Sequence, residues 1–162
     1  MQAKGATLRL FLDANILFSA SCSDGAIRRL ILELTRCGHV LVVDGYVWEE
    51  ALRNVTLQQP SSLEFLHHIS ADLELHTGSA SSEVISSPDW GLPAKDVAVL
   101  TAAITLHCDI LITGDFRHFG HLYGTKVAGV SILRPRQAAE ALIQGFQEIR
   151  GSASIAESLP SN

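Results

Sequence analysis

Apolar residues follow two patterns along the chain. Short continuous apolar runs predict strands buried in a parallel sheet, and they occur at 7–12, 39–44, 109–113 and 127–133, with a strand-like stretch at 73–77. Apolar residues three or four positions apart predict helices, and these cover 26–38, 46–55, 61–73, 93–108 and 134–146. Strands that alternate with helices favour a parallel sheet covered on both faces. The pattern therefore predicts an α/β fold: a three-layer α/β/α sandwich with a mostly parallel, Rossmann-like central sheet of about five strands.

Capping residues predict the ends of two of these helices. Asp24 is placed to cap the helix over 26–38, and Gly38 is placed to end it. Pro93 suits the first position of the helix over 93–108, because a proline there loses no helical hydrogen bond.

Length and composition indicate one globular domain. The chain has 162 residues, of which 47% are hydrophobic and 18% are charged, which is enough to build a single aliphatic core. We expect one domain over 1–150, a loop at 78–91 and a disordered tail at 151–162. No apolar segment has the length of a signal peptide or a membrane span, and the three cysteines match no disulfide or zinc pattern. A cytoplasmic protein with reduced, buried cysteines and no membrane partner is expected.

The net charge argues weakly against a surface that binds nucleic acid by charge alone. Seventeen acidic residues outnumber twelve basic ones, which gives a formal charge of −5. A cation held by several of the acids would leave the rest of the surface closer to balance. The positions of the acids therefore matter more than their number.

Several acids fall at the ends of predicted elements. Asp13 closes the first strand, Asp115 follows the fourth strand, and Asp96 lies in the first turn of the helix before that strand. Either Glu49 or Glu50 lies at the start of the helix after the second strand, and helical periodicity does not separate these two. The carboxyl ends of parallel strands share one edge of a sheet, and open α/β sheets bind ligands there. We therefore expect these acids to converge.

Converging carboxylates predict a cation. They repel one another unless protons or a metal ion lie among them, and hard oxygen ligands select Mg²⁺ or Mn²⁺ over zinc. Taken singly, each acid also has a structural interpretation: Asp13 as a helix N-cap, Asp96 as a partner of the helix dipole and Asp115 as the start of a turn. Their shared edge favours the metal site.

Three segments resemble the PIN domain, a family that includes metal-dependent ribonucleases and the VapC-type toxins of bacterial toxin–antitoxin pairs. They read FLDANILFSA at 11–20, WEEALRNV at 48–55 and KDVAVLTAAITLHCDILITGDFRHF at 95–119. The last segment resembles the family's order of acid, helix, small-residue turn, apolar strand, threonine and second acid. The resemblance covers residues 7–135 and implies a PIN-like fold.

The resemblance also implies a set of metal ligands. These are Asp13, Glu50, Asp96 and Asp115. Glu50 is chosen over Glu49 because EALRNV is more similar to the family's acid followed by an apolar turn. Asn15 and Thr113 would form hydrogen bonds nearby. Four carboxylates are balanced by two divalent ions, whereas one ion would leave about two negative charges, so one or two ions are expected.

Such a site suits hydrolysis of phosphodiester bonds, in which a cation activates water and stabilises charge on the phosphate oxygens. The resemblance therefore implies an endoribonuclease that acts on RNA, and it also implies a toxin role, an antitoxin partner and a homodimer. Three basic residues are best placed to hold an RNA strand, namely Arg53, Lys95 and Arg117, with ordinary surface charge as an equal alternative. Trp48 and Phe116 could stack on bases, although core packing is the preferred interpretation.

The remaining polar residues near these motifs have structural interpretations. His118 could orient the substrate or act on a leaving group, but a surface or capping histidine is the preferred interpretation. Asp109 is expected to shape the start of its strand, and Asp44 to mark the end of another. Asp13 is expected to emerge from the edge of the sheet and not to be buried.

Three alternative functions are considered. A phosphotransferase of haloacid-dehalogenase type would use Asp13 as a nucleophile, but its usual second aspartate is replaced by Asn15. A PIN-fold domain that binds nucleic acid or protein without catalysis would usually lack one of the acids. A nucleotide-binding Rossmann module is disfavoured because no glycine-rich phosphate loop follows the first strand.

Overall fold

The computed structural model describes residues 5–78 and 89–143. Its strands are β1 Arg9–Leu12, β2 Val40–Asp44, β3 Leu73–His76, β4 Ile110–Ile112, β5 Lys126–Val127 and β6 Val130–Leu133. Its helices are α1 Ala14–Cys22, α2 Ala26–Arg36, α3 Gly45–Gln58, α4 Leu63–Ser70, α5 Ala94–Thr105, α6 Phe116–Phe119 and α7 Pro135–Leu142. Three predicted segments lie wholly or partly outside the described residues: the loop at 78–91, the tail at 151–162 and the end of the helix over 134–146. Both ends of the proposed domain over 1–150 also lie outside them.

The strands form one sheet in the order β3-β2-β1-β4-β6-β5. All neighbouring pairs are parallel except β5 and β6. In the central strand, Leu10, Phe11 and Leu12 have no exposed surface. Successive side chains of a strand point to opposite faces, so three consecutive buried residues mean that both faces are covered. The predicted three-layer α/β/α arrangement is confirmed.

The strand order reverses at β1. The strands β2 and β3 are added on one side of β1, and the later strands β4, β6 and β5 lie on the other side. A crevice opens at the carboxyl ends of two strands where the order reverses in this way, and open α/β sheets bind ligands there. Leu12 pairs with Ile112, and the backbone N–H of Asp13 donates to the carbonyl of Ile112 at 3.1 Å. The residues that follow β1 and β4 are therefore held side by side.

Two of the predicted helix starts are wrong. The N-cap of α2 is Gly25, and Asp24 instead lies 3.8 Å from the guanidinium of Arg28. α5 begins at Ala94, so Pro93 occupies the N-cap and not the first helical position. The predicted stop of α2 is confirmed, because Gly38 adopts a φ of 87° just after the helix.

The predicted strand at 127–133 is also wrong in part. Ala128 and Gly129 have φ values of 47° and 86° and form a turn, so the run contains the antiparallel pair β5 and β6. The sequence VAG carries no polar turn residue that would break the apolar pattern. The described sheet therefore has six strands where about five were expected.

The cysteines are free, as expected, but they are not all buried. Cys108 is buried, Cys22 is half-buried and Cys37 is exposed. Burial raises the pKa of the Cys108 thiol to about 12, so this residue packs as a small apolar side chain. Among the described residues, no helix has the length and hydropathy needed to cross a membrane.

Arg28 is expected to be a major stabilising residue of the corner between α1 and α2. Its guanidinium donates to the carbonyls of Ala20 and Ser21 at 2.8 and 3.1 Å, and it lies 3.5 Å from the ring centroid of Phe65. These bonds satisfy carbonyls that the end of α1 leaves without helical partners. Arg28→Ala should therefore lower the free energy of unfolding by about 2 kcal/mol in urea denaturation.

The matched control for this measurement is Arg29→Ala, since Arg29 is exposed on the same helix. An Arg28 variant that is no less stable than the Arg29 variant would contradict the assignment.

Candidate metal centre

A cavity of about 330 Å³ opens at the carboxyl edge of the sheet, beside the ends of β1 and β4. Its lining includes the four acids chosen from the sequence, namely Asp13, Glu50, Asp96 and Asp115. The other residues that line it are Ala14, Asn15, Phe18, Asn54, Gln58, Lys95 and Gly114. The fold therefore brings together acids from four separate parts of the chain.

Asp13 lies at the carboxyl edge of the sheet, as expected, but with 4% of its surface exposed it is buried, so the expectation that it is not buried is wrong. One carboxylate oxygen accepts the N–H of Ala14 at 2.8 Å and caps α1. The other accepts the hydroxyl of Thr113 at 2.8 Å and the amide of Asn15 at 3.1 Å. The structural role as an N-cap and the position in the acidic cavity thus coexist in one side chain.

Asn15 connects the start of α1 to the segment that follows β4. Its side-chain oxygen accepts the N–H of Gly114 at 2.8 Å, while its amide reaches Asp13. A Cβ at Gly114 would lie only 3.2 Å from that oxygen. Asn15 and Thr113 both hydrogen-bond to Asp13, and a side chain at position 114 would crowd Asn15.

α3 decides the geometry of Glu49 and Glu50. Val47, Ala51 and Val55 form its buried side, as predicted. Glu50 lies on the side of the helix that faces the acidic cavity, whereas Glu49 lines a separate groove of about 410 Å³. The structure brings Glu50 together with the other three acids and keeps Glu49 apart from them.

Asp96 lies in the first turn of α5, with 4% of its surface exposed. Its Oδ2 atom is buried and has no hydrogen bond among the described residues. Burial raises the pKa of Asp96, the positive charges of Lys95 and His118 oppose this, and the nearby charge of Asp115 adds to it. An acid in this position is stabilised in its ionised form by a cation.

Asp115 caps the short helix α6 by accepting the N–H of His118 at 3.1 Å. The same turn brings the side chain of His118 back toward Asp115 and Asp96. Its Nδ1 atom lies 2.8 Å from Asp115 Oδ2 and 2.8 Å from Asp96 Oδ2. The interpretation of His118 as a plain surface or capping residue is therefore wrong.

Burial dominates the electrostatics of the cavity. The pKa of Asp13 is raised to about 6, mainly by burial and also by the charges of Asp96 and Glu50, and the hydrogen bonds from Thr113 and Ala14 act in the opposite direction. Tyr123, whose hydroxyl donates to the carbonyl of Thr113 at 2.9 Å, has its pKa raised to about 12 by burial and by the charges of Asp115 and Asp13. The four carboxylates concentrate negative charge in the cavity, and a divalent ion would neutralise it.

The basic and aromatic candidates lie in different parts of the structure. Lys95 lines the acidic cavity, whereas Arg53 lines the groove beside Glu49 and Arg117 is exposed on α6. Core packing is confirmed for Trp48, which is half-buried against the core, but it is wrong for Phe116, which is 56% exposed.

Asp109 and Asp44 have the structural roles that were expected. Asp109 accepts the N–H of Arg9 at 2.9 Å at the opposite edge of the sheet, and Asp44 ends β2 and caps α3 by accepting the N–H of Val47. Neither residue lines the acidic cavity.

Some lining residues were missed in the sequence. Asn54 and Gln58 follow Glu50 at four-residue intervals and continue its side of α3 into the cavity. This spacing is visible in the sequence and could have identified them, because residues four apart lie on one helix face. His118 gave no such signal, since its role depends on Asp96 of another helix.

Comparison of the sequence with protein-family models and with curated proteins found no match. Two solved structures are similar in fold. VapBC2 from Rickettsia felis, bound to a DNA fragment from its promoter, matches with a TM-score of 0.56 and 13% identity over 78% of this chain and 98% of the matched chain. VapBC-1 from nontypeable Haemophilus influenzae matches with a TM-score of 0.53 and 14% identity over 80% of this chain and 99% of the matched chain. At these identities the similarity concerns the fold, and the PIN-like fold expected from the sequence is confirmed.

Proposed function

We propose that this PIN-like domain is a metal-dependent endoribonuclease whose metal ligands are Asp13, Glu50, Asp96 and Asp115. The observation that supports this proposal best is the convergence of these four carboxylates on one cavity at the switch point of the sheet. Carboxylates from four separate elements have no common structural reason to meet there. A shared ligand supplies that reason.

The donor atoms of the cavity fit one or two Mg²⁺ or Mn²⁺ ions. Carboxylate oxygens are the ligands that these ions prefer, and the buried Oδ2 of Asp96 lacks a hydrogen bond among the described residues. The ion, when bound, supplies charge stabilisation at a phosphate oxygen and favours the ionised form of a nearby water.

The chain's own residues position the cation and the substrate. Thr113 and Asn15 fix the carboxylate of Asp13 through two hydrogen bonds, so this ligand needs little reorganisation. Lys95, which is exposed at the rim of the cavity, can bind a backbone phosphate of the RNA. Phe116, exposed next to Asp115, offers a surface on which a base can stack.

The comparisons support a role in a toxin–antitoxin pair. The sequence resembles a family that includes VapC-type toxins, and the two similar structures are described as VapBC2 and VapBC-1. We therefore extend the proposal to a toxin that pairs with an antitoxin protein and forms a homodimer in the cytoplasm.

The alternative as an aspartate-nucleophile phosphotransferase has less support. Both carboxylate oxygens of Asp13 already accept hydrogen bonds, from Ala14, Thr113 and Asn15. A nucleophilic oxygen needs a free approach to phosphorus, and these donors also reduce its reactivity. The arrangement suits a fixed ligand better than a nucleophile.

Glu50→Gln and Glu49→Gln form a matched pair that tests the proposal. Wild-type protein should cleave single-stranded RNA with Mg²⁺ or Mn²⁺ and lose this activity in EDTA. Glu50→Gln should weaken metal affinity and slow cleavage by about tenfold, a moderate effect because water can replace a half-exposed ligand. Glu49→Gln should behave as wild type, because Glu49 lines a different groove.

Cleavage is followed by gel electrophoresis of end-labelled RNA, and metal affinity by calorimetry. Wild-type protein that binds neither ion and cleaves no RNA would favour the non-catalytic binding domain instead. Equal losses in the two variants would remove the specific role of Glu50.

A further inference from the structure

His118 forms a close trio with two of the proposed ligands. Its Nδ1 atom lies 2.8 Å from Oδ2 of Asp96 and 2.8 Å from Oδ2 of Asp115. Within the described part of the chain, these three residues form the group whose potential ligand atoms all lie within 4.8 Å of one another. Asp13 and Glu50 line the same cavity but are not members of this group.

The contacts of the trio lie at ion-pair distance but do not have regular hydrogen-bond geometry. His118 Nδ1 and Asp96 Oδ2 are both buried, and neither has a hydrogen-bond partner among residues 5–78 and 89–143. The side chain of Asp96 is only 6% exposed. A buried carboxylate oxygen without a hydrogen bond is costly unless a cation compensates it.

The distances match those between ligands of a single ion. Two atoms bonded to one ion at about 2.1 Å, with a right angle between the bonds, lie about 3 Å apart. The nitrogen-to-oxygen distances of 2.8 Å fall near this value. One ring nitrogen and two carboxylate oxygens therefore already have the spacing of a coordination sphere.

The other buried acid is less available as a ligand. The carboxylate of Asp13 already accepts three hydrogen bonds, which come from Ala14, Asn15 and Thr113. Asp96 Oδ2, in contrast, is in contact with His118 Nδ1 and accepts no hydrogen bond of regular geometry among the described residues. The tighter ion position thus lies at the trio.

We propose that His118 is a nitrogen ligand of the ion held by Asp96 and Asp115, and that this ligand makes the site prefer Mn²⁺ to Mg²⁺. The proposal deepens the proposed function, on whose metal site it rests. Imidazole binds transition-metal ions well, whereas Mg²⁺ prefers oxygen ligands and keeps its waters. A site with one nitrogen and two carboxylates therefore discriminates between two ions that four carboxylates would treat more equally.

Electron spin echo measurements on the full chain loaded with Mn²⁺ test the bond directly, without any variant. A nitrogen bonded to the ion modulates the echo, so wild-type protein should show the coupling of a directly bound imidazole nitrogen. Calorimetry with Mn²⁺ and Mg²⁺ separately should give a tighter dissociation constant for Mn²⁺.

His118→Ala should abolish the nitrogen coupling and weaken Mn²⁺ binding by about tenfold or more, with a much smaller effect on Mg²⁺. His118→Gln places an amide oxygen near the ion, so it should lose the coupling and the preference for Mn²⁺ while Mg²⁺ affinity is retained. The matched control is His121→Ala, since His121 contacts the carbonyl of Trp90 and lies outside the trio. This control should keep both the coupling and the preference.

The failures of the two proposals can be told apart. Wild-type protein that binds Mn²⁺ and cleaves RNA but shows no nitrogen coupling would overturn the role of His118 alone. Wild-type protein that binds neither ion and cleaves no RNA would overturn both proposals. Coupling that persists in His118→Ala would assign the nitrogen to another residue and also overturn this one.

Discussion

Asp96→Asn is expected to slow metal-dependent RNA cleavage by at least about a hundredfold, since a catalytic ion contributes several kcal/mol to the transition state. Asp96 is buried, its Oδ2 atom has no hydrogen bond among the described residues, and it lies beside Asp115 and His118. An amide at this position would keep the shape of the side chain but lose the charge that holds the cation. The rise in melting temperature that Mg²⁺ or Mn²⁺ produces in wild-type protein should disappear as well.

The same variant should leave the metal-free fold intact or make it slightly more stable. Burial and the charge of Asp115 both raise the pKa of Asp96, so ionised Asp96 is a cost to the folded state when no ion is bound. The matched control is Asp109→Asn at the opposite edge of the sheet, where Asp109 accepts the N–H of Arg9. That control should retain both cleavage and the metal-induced stabilisation.

Thermal unfolding in EDTA and with added metal, together with RNA cleavage, provides the measurement. A loss of several kcal/mol in metal-free stability on Asp96→Asn would show that Asp96 is a structural hydrogen-bonding partner instead.

Asp13 is expected to make the metal-free protein less stable as the pH rises from 4 to 7. Burial raises the pKa of Asp13 from 3.8 to about 6. Between these two values the folded state holds a proton that the unfolded chain has released, so the free energy of unfolding falls as the pH increases. The full effect of this one group is about 3 kcal/mol, and it is complete above the folded-state pKa.

The comparison of wild type with Asp13→Asn isolates this effect from the other acids. In EDTA, the stability of wild type relative to the variant should decrease across that pH range, measured by urea denaturation at each pH. A bound divalent ion favours the ionised carboxylate, so saturating Mn²⁺ should remove the decrease. A difference that is independent of pH in EDTA would mean that Asp13 has an ordinary pKa in the folded protein.

An acid can cap a helix and also line the proposed metal site. Asp13 caps α1 and Asp115 caps α6 through their side chains, and both also line the cavity. A carboxylate held by backbone N–H groups has few accessible rotamers, so its oxygens are already positioned before an ion binds. Local capping thus contributes to the precision of the site.

Much of the fold was predictable because hydrophobic periodicity records burial directly. The run at 7–12 contains β1, whose core residues are fully buried, and the four-residue spacing of Val47, Ala51 and Val55 gave the buried side of α3. The predicted strand at 127–133 was wrong in part because a turn lies inside its apolar run. Ala128 adopts a positive φ inside an apolar run, and the antiparallel pairing of β5 with β6 compensates that conformation with contacts that the sequence does not display.

The sequence by itself determined which acids stand at the ends of strands and helices, because strand and helix periods reveal where each element stops. It could not separate Glu50 from Glu49, since both lie equally far from the buried side of α3 in one dimension. The packing of α3 at the edge of the sheet decided that point by turning Glu50 into the cavity.

Tertiary structure alone decided the burial of Asp13 and the position of His118. The burial of Asp13 depends on Thr113, which approaches it only when β1 pairs with β4. The position of His118 depends on Asp96 in α5, a contact between residues that lie 22 positions apart in the sequence but within 2.8 Å in the fold. Side-chain contacts between elements depend on how those elements pack, and a one-dimensional pattern of apolar and polar residues carries no such distance.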